Sequence, residues 1–311
     1  MQPDASSRLR HQSDMGLKAA VFVSVALFIF ALNSFVKEKK AAVVPFQYHQ
    51  RLVFVKAKVN AVDSLLFLLD TGANVSAIDG RVARRLNLPI TGEGNIEGTA
   101  GVISTKSTHL NSLEISSRRV TDLKCTILDL SRMLTPGNQH LDGILGTDAF
   151  HQAVVTIDFV NKAMAFEAEE SEANTNSISF ELDNGIPRVP VMINGFVNTF
   201  LRYDSGASLF DTQEPYVNVT TEVWRKLQEG DKKLKPRFTL SGSSGGGSLT
   251  LPVGRVGSIQ LGNRRIDSVY VIVQPRVGYF AREDAVGFFG NYLLERYGLV
   301  TIDFLNCRIV F

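Results

Sequence analysis

Leu65-Leu66-Phe67-Leu68-Leu69-Asp70-Thr71-Gly72-Ala73 is an apolar run that stops on an acid, a hydroxyl residue, a glycine and an alanine. The pattern returns 134 residues later, where Phe200-Leu201-Arg202-Tyr203 runs into Asp204-Ser205-Gly206-Ala207. Each copy reads as a strand that ends in a tight loop. Two such loops in one chain can set two carboxylates face to face. That possibility organises everything around them.

The surroundings repeat as well. Upstream of the first copy, Leu52 to Asn60 alternates near its end, and Asn60-Ala61-Val62-Asp63 supplies turn chemistry. Upstream of the second, Val189 to Ile193 leads to Asn194-Gly195 at the same offset. Downstream, Asp142-Gly143-Ile144-Leu145-Gly146 precedes Val155-Thr156-Ile157-Asp158-Phe159. Gly287-Phe288-Phe289-Gly290 likewise precedes Val300-Thr301-Ile302-Asp303-Phe304. A repeat this long means two related lobes, and not a solenoid of short units. The lobes are expected over 41–168 and 178–311, joined by an acidic, polar linker over 169–177. Helices are few: one is expected over Gly80–Leu88 before Pro89, and one over Thr221–Leu227 with Thr221 as N-cap. Glycine-rich stretches, Thr91–Gly101 and Ser241–Ser248, fall between the landmarks of each lobe and read as hairpin tips. Strand patterns and not helices follow those glycines, which disfavours a phosphate-cradling loop.

Bulk composition excludes more than it selects. The 311 residues suffice for two cores, and 33 Lys+Arg against 31 Asp+Glu leaves a net charge of +2. Nucleic-acid binding therefore has no electrostatic footprint. Two cysteines, Cys125 and Cys307, sit in apolar stretches and read as free core thiols. The five histidines show no metal-ligand spacing, so neither a metal nor a cofactor is expected.

Residues 1–18 form a polar tail before a distinct segment. Ala19 to Val36 carries no charge and is flanked by Arg8, Arg10 and Lys18 on one side and Lys37, Lys39 and Lys40 on the other. As a helix it covers roughly 27 Å, about one hydrocarbon core. Its exit, Asn33-Ser34-Phe35-Val36, is a poor cleavage site, so 19–36 reads as an uncleaved single-pass transmembrane anchor. Basic residues on both flanks determine its orientation weakly.

Each residue of the repeated loop has a chemical use. Glycine permits the torsions of a tight loop and lets another chain approach. The hydroxyls of Thr71 and Ser205 can brace the opposite loop. The carboxylates of Asp70 and Asp204 would share one proton, so that one draws a proton from water and the other hydrogen-bonds a carbonyl. Ala73 and Ala207 offer no hydroxyl to the carboxylates, which predicts higher pKa values and activity at mildly acidic to near-neutral pH.

These loops, with Asn74-Val75-Ser76-Ala77-Ile78 and Leu141 to Gly146 after the first, resemble the aspartic proteases, and specifically their retropepsin-like branch, common in bacteria. The resemblance covers most of residues 50–311. It implies an all-β fold of two retropepsin/pepsin-like β-barrel lobes, with an active site in the interlobe cleft under a hairpin flap. Asp70 and Asp204 are then the catalytic pair, supported by Thr71, Gly72, Ala73, Ser205, Gly206 and Ala207. The implied partner is a polypeptide substrate bound as an added strand, with no obligate dimer. With the anchor, it implies a membrane-bound endopeptidase with extracytoplasmic, periplasmic lobes, acting on polypeptides near the membrane.

The second lobe departs from the first. Arg202 and Tyr203 replace Leu68 and Leu69, and Phe288-Phe289 is bulkier than Ile144-Leu145. Arg202 is expected to point away from the catalytic side, since alternate residues of a strand face opposite ways. Neither glycine-rich hairpin offers an evident flap tyrosine. The alternative is a non-catalytic peptide-binding module on the same scaffold. Asn74-Val75-Ser76 and Asn218-Val219-Thr220 match the glycan-acceptor pattern, and both read as coincidence.

Overall fold

The apolar run that opens the sequence reading is a strand buried on both faces. Leu65, Phe67 and Leu69 face the main core, while Leu66 and Leu68 face a smaller cluster with Leu130 and Leu141. Two-sided burial is why the run is continuous where a half-exposed strand would alternate. The computed structural model describes residues 42–133, 135–150, 152–167, 176–208, 212, 214–244 and 246–311. The tail, the apolar run over 19–36 and residues 169–175 of the linker lie outside them. Among the described residues no helix is long and apolar enough to cross a membrane.

Among the described residues the fold is mostly β, in two sheets of thirteen and eight strands. In the first half, Val43–His49, Leu52–Val59 and Val62–Leu69 form an antiparallel meander. The short strand Gly143–Leu145 lies parallel to Val62–Leu69 and antiparallel to Ala77–Asp79. The second half repeats this arrangement. Ile186–Ile193 pairs with Val197–Tyr203, and Gly287–Phe289 runs parallel to Val197–Tyr203 and meets Tyr216–Thr220 at Asn218↔Phe288. Asp70 and Asp204 therefore sit at matching strand ends.

The halves are not closed off from each other. Ser177–Ser179, Arg308–Val310, Leu299–Asp303, Val154–Asp158, Ala163–Glu167 and Val43–His49 lie side by side in that order within the larger sheet. Strands near the chain's end thus complete a sheet begun at residue 43, and residues 41–311 cluster as one compact unit.

Both expected helices are present with different bounds. The first spans Gly80–Arg85, N-capped by the Asp79 carboxylate accepting from Arg81 N at 2.8 Å. The second spans Thr221–Gly230, and its N-cap is Thr220, not Thr221. The Thr220 hydroxyl accepts from Val223 N at 3.2 Å, while Thr221 donates to the Gln274 carbonyl at 3.0 Å. Two adjacent threonines offered the cap, and tertiary contact decided between them. Cys125 and Cys307 are both free. Asn218 is fully buried and accepts from Gln274 Nε2 at 2.8 Å, so it cannot carry a glycan in the folded protein.

Candidate active site

The two repeated loops meet as a reciprocal clasp. Thr71 Oγ1 donates to the Tyr203 carbonyl at 2.7 Å and accepts from Ser205 N at 2.9 Å. Ser205 Oγ donates to the Leu69 carbonyl at 2.8 Å and accepts from Thr71 N at 2.9 Å. Both hydroxyls are fully buried, and the four bonds satisfy every group involved. Each loop is also fixed to its own half, with Asp70 N donating to the Leu145 carbonyl and Asp204 N to the Phe289 carbonyl, both at 2.9 Å. The apolar-apolar-glycine segments thus hold the carboxylate loops from below.

The clasp brings all eight sequence-selected residues together. A Cβ on Gly72 would stand 2.4 Å from Asp204 Cγ, and one on Gly206 2.4 Å from Asp70 Cγ. Neither glycine has a left-handed φ. The third position of the motif therefore needs space for the opposing carboxylate and not unusual torsion.

Electrostatics divide the pair. Burial raises the pKa of both carboxyls, although each keeps an edge open to solvent. Asp204 is raised well above the usual carboxylate range, by burial first and then by the negative charge of Asp70. Asp70 is raised by burial but eased by the N–H groups of Gly72, Ala73 and Gly206 and by its hydrogen bond with Asp204. Gly72 N donates to Asp70 Oδ1 at 2.8 Å and Gly206 N to Asp204 Oδ1 at 3.1 Å. Both carboxyls are raised and each bears on the other, so the pair is set up to share one proton. An acid and a base side by side with open edges can act together on a water molecule. Among the described residues no His/Cys/Asp/Glu group is arranged to hold a metal.

Arg202 sits off the carboxylate pair. Its guanidinium donates to Asp183 at 2.6 Å and lies 4.1 Å from the centre of the Tyr279 ring, leaving only a weak charge effect on Asp204. Tyr203 points into the core, where its hydroxyl donates to Asn291 Oδ1 at 2.7 Å.

The glycine-rich hairpins Gly92–Gly98/Gly101–Ile115 and Phe238–Ser244/Gly247–Leu261 approach each other tip to tip. A Cβ on Gly246 would stand 2.5 Å from Gly101 N. Gly278, beside the first tip, is as tightly placed against the Gly98 carbonyl. Arg282 and Glu97 add an ion pair at 3.9 Å.

Supporting residues escaped the sequence reading. Ser76 Oγ donates to Asp148 at 2.6 Å and accepts from Gly146 N at 3.0 Å, tying the first loop's exit to its glycine. Asn291, which follows Gly290, is fully buried against the second loop. The only sequence signs were the place of Asn291 after Gly290 and that of Ser76 in the stretch following the first loop.

Residues 55–149 match the family model described as aspartyl protease. The solved structure of the aspartic proteinase from Irpex lacteus is similar at a TM-score of 0.52 and 14% identity, covering 86% of this chain and 96% of that one. No curated protein matches. The matched segment folds around one carboxylate loop, a second such loop is clasped to it, and the chain as a whole shares the fold of that aspartic proteinase.

Proposed function

We propose that the protein is an aspartic endopeptidase in which Asp70 and Asp204 activate a water between them. The observation that carries this reading is the reciprocal Thr71–Ser205 clasp, which holds two carboxyls against each other. Ionised Asp70 takes a proton from the water as it attacks the scissile carbonyl, and protonated Asp204 donates to the carbonyl oxygen. No covalent enzyme intermediate is involved. The paired hairpin tips supply main-chain groups for an extended polypeptide lying in a cleft between lobes 41–168 and 178–311.

The length and uncharged character of the run over 19–36 support a single-pass anchor, and the extracytoplasmic placing of the catalytic part follows from the family resemblance and not from the flanking charges. On that reading the substrates are polypeptides at or near the membrane, in a bacterial envelope. The purified full chain, incubated with a peptide library from pH 3 to pH 8, tests the catalytic reading. Turnover by wild type, absent in Asp70→Asn and Asp204→Asn, is expected. Peptide binding without turnover at any pH would point instead to a binding module.

A further inference from the structure

The turn between Val43–His49 and Leu52–Val59 is a two-residue hairpin loop in which Gln50 and Arg51 both have positive φ, 48° and 64°. Such turns favour Asn-Gly, because a side chain at φ > 0 is strained. The repeat shows what the turn prefers. The matching loop of the second half, between Glu181–Asp183 and Ile186–Ile193, is Asn184-Gly185, with φ of 51° and 83°. Arg51 stands where its mate is glycine, so the turn does not require the arginine.

The arginine has contacts that its mate lacks. Its guanidinium donates from Nη1 to Glu295 at 2.7 Å and from Nη2 to the Thr212 carbonyl at 2.6 Å, both in the second half. Tyr48 donates to the same Glu295 carboxylate. The Arg51 carbonyl accepts from Asn291 Nδ2 at 2.8 Å, and that nitrogen also lies 3.2 Å from the Ser205 carbonyl as donor. Asn291 Oδ1 accepts from Tyr203, the residue before Asp204. A first-half turn is thereby wired to both sides of Asp204. In the opposite sense the Gly185 turn lies beside Thr147, the counterpart of Asn291.

We infer that Arg51 and Asn291 are positioning residues for Asp204: the strained Gln50-Arg51 turn is kept so that the first half holds the second carboxylate loop in register with the first. Positive φ against a glycine mate is not peculiar to this turn, since Ala61 at 70° matches Gly195 at 74°; what sets Arg51 apart is its bonding to Glu295, Thr212 and Asn291 in the other half. The inference rests on the protease reading, and it predicts an asymmetric pair in which only the Asp204 loop depends on a contact from the other half beyond the clasp.

Arg51→Gly is the informative variant, because glycine suits the turn and the fold should persist. The full chains of wild type, Arg51→Gly, Arg51→Lys and Asn291→Ala are assayed on a peptide that wild type cleaves. In Arg51→Gly and Asn291→Ala, kcat should fall about tenfold or more with KM within about twofold, as expected when a reacting group drifts but substrate still binds. Arg51→Lys, which keeps a cation and donor near Glu295, should recover part of the loss. Amide exchange over residues 204–208, read in the same proteins, should quicken about tenfold while residues 70–74 change less. An unchanged kcat in Arg51→Gly, or a loss carried by KM alone, overturns the inference. Should wild type cleave nothing, the protease reading fails, and exchange over 204–208 decides the positioning role: unchanged exchange overturns it.

Discussion

The carboxyl carbon of Asp204 lies 2.4 Å from where a Cβ on Gly72 would stand, and Asp70 stands in the same relation to Gly206. Each carboxylate occupies the missing side chain of the opposite loop. Gly72→Ala or Gly206→Ala must push one carboxyl away from its partner. A fall in kcat/KM of about a hundredfold or more is expected, with the protein still folded, since overpacking of this kind typically costs about 1–3 kcal/mol. Steady-state kinetics beside thermal melting checks both halves of the statement.

The clasp hydroxyls carry stability. Ser205→Ala would leave Thr71 N–H and the Leu69 carbonyl buried without partners, a loss of about 2–4 kcal/mol. Ser205→Thr keeps the hydroxyl, and Thr71 shows that the mate of this site accepts threonine. Its change should stay within about 1 kcal/mol of wild type in urea unfolding.

Two raised carboxyls make stability fall as pH rises. Both Asp70 and Asp204 have folded pKa values above the ordinary one, from burial and, for Asp204, the charge of Asp70. The folded state therefore binds more protons than the unfolded state between the ordinary value, about 4, and the folded ones. Their contribution is complete below the ordinary value and is lost as pH climbs through the folded pKa values. Asp204→Asn removes that cost, so its melting temperature should exceed that of wild type at pH 7 and approach it at pH 3. A gain that is larger at pH 3 would contradict this ordering. Activity should run the same way as the shared proton, falling at low pH as Asp70 protonates and at high pH as Asp204 ionises.

Gly246 has φ of 101° and faces Gly101 at the meeting of the hairpin tips. Gly246→Ala should strain the tip and part it from its neighbour. The expected result is a rise in KM of about tenfold with little change in melting temperature, because the tip buries little and, on the protease reading, lies against the bound peptide. Peptide titration of Asp70→Asn carrying the same change separates binding from turnover.

Sequence pattern located the Asp70 and Asp204 loops because the chemistry there demands residue types at fixed spacing, and the constant offset from Asn60 and Asn194 confirmed the match. The supporting glycine segments were legible for the same reason. The shared sheet was not legible, since Leu299–Asp303 alternates like any strand and nothing local names Val154–Asp158 as its partner. Arg51 was equally silent: in sequence it is one more basic residue in a turn, and only comparison of its φ and contacts with those of Gly185 gives it meaning. The cap at Thr220 instead of Thr221 shows the same limit on a smaller scale.

The shared sheet also sets a schedule. Val154–Asp158 waits for Leu299–Asp303, so a nascent chain leaving the ribosome has its first carboxylate loop long before the strands that close the structure exist. Loop closure over that separation is slow, and it comes last. On the protease reading, a half-made chain holds Asp70 without Asp204 and lacks the pair that would hydrolyse its neighbours. Synthesis order is then a safety catch, released only when the final strands of the sheet arrive.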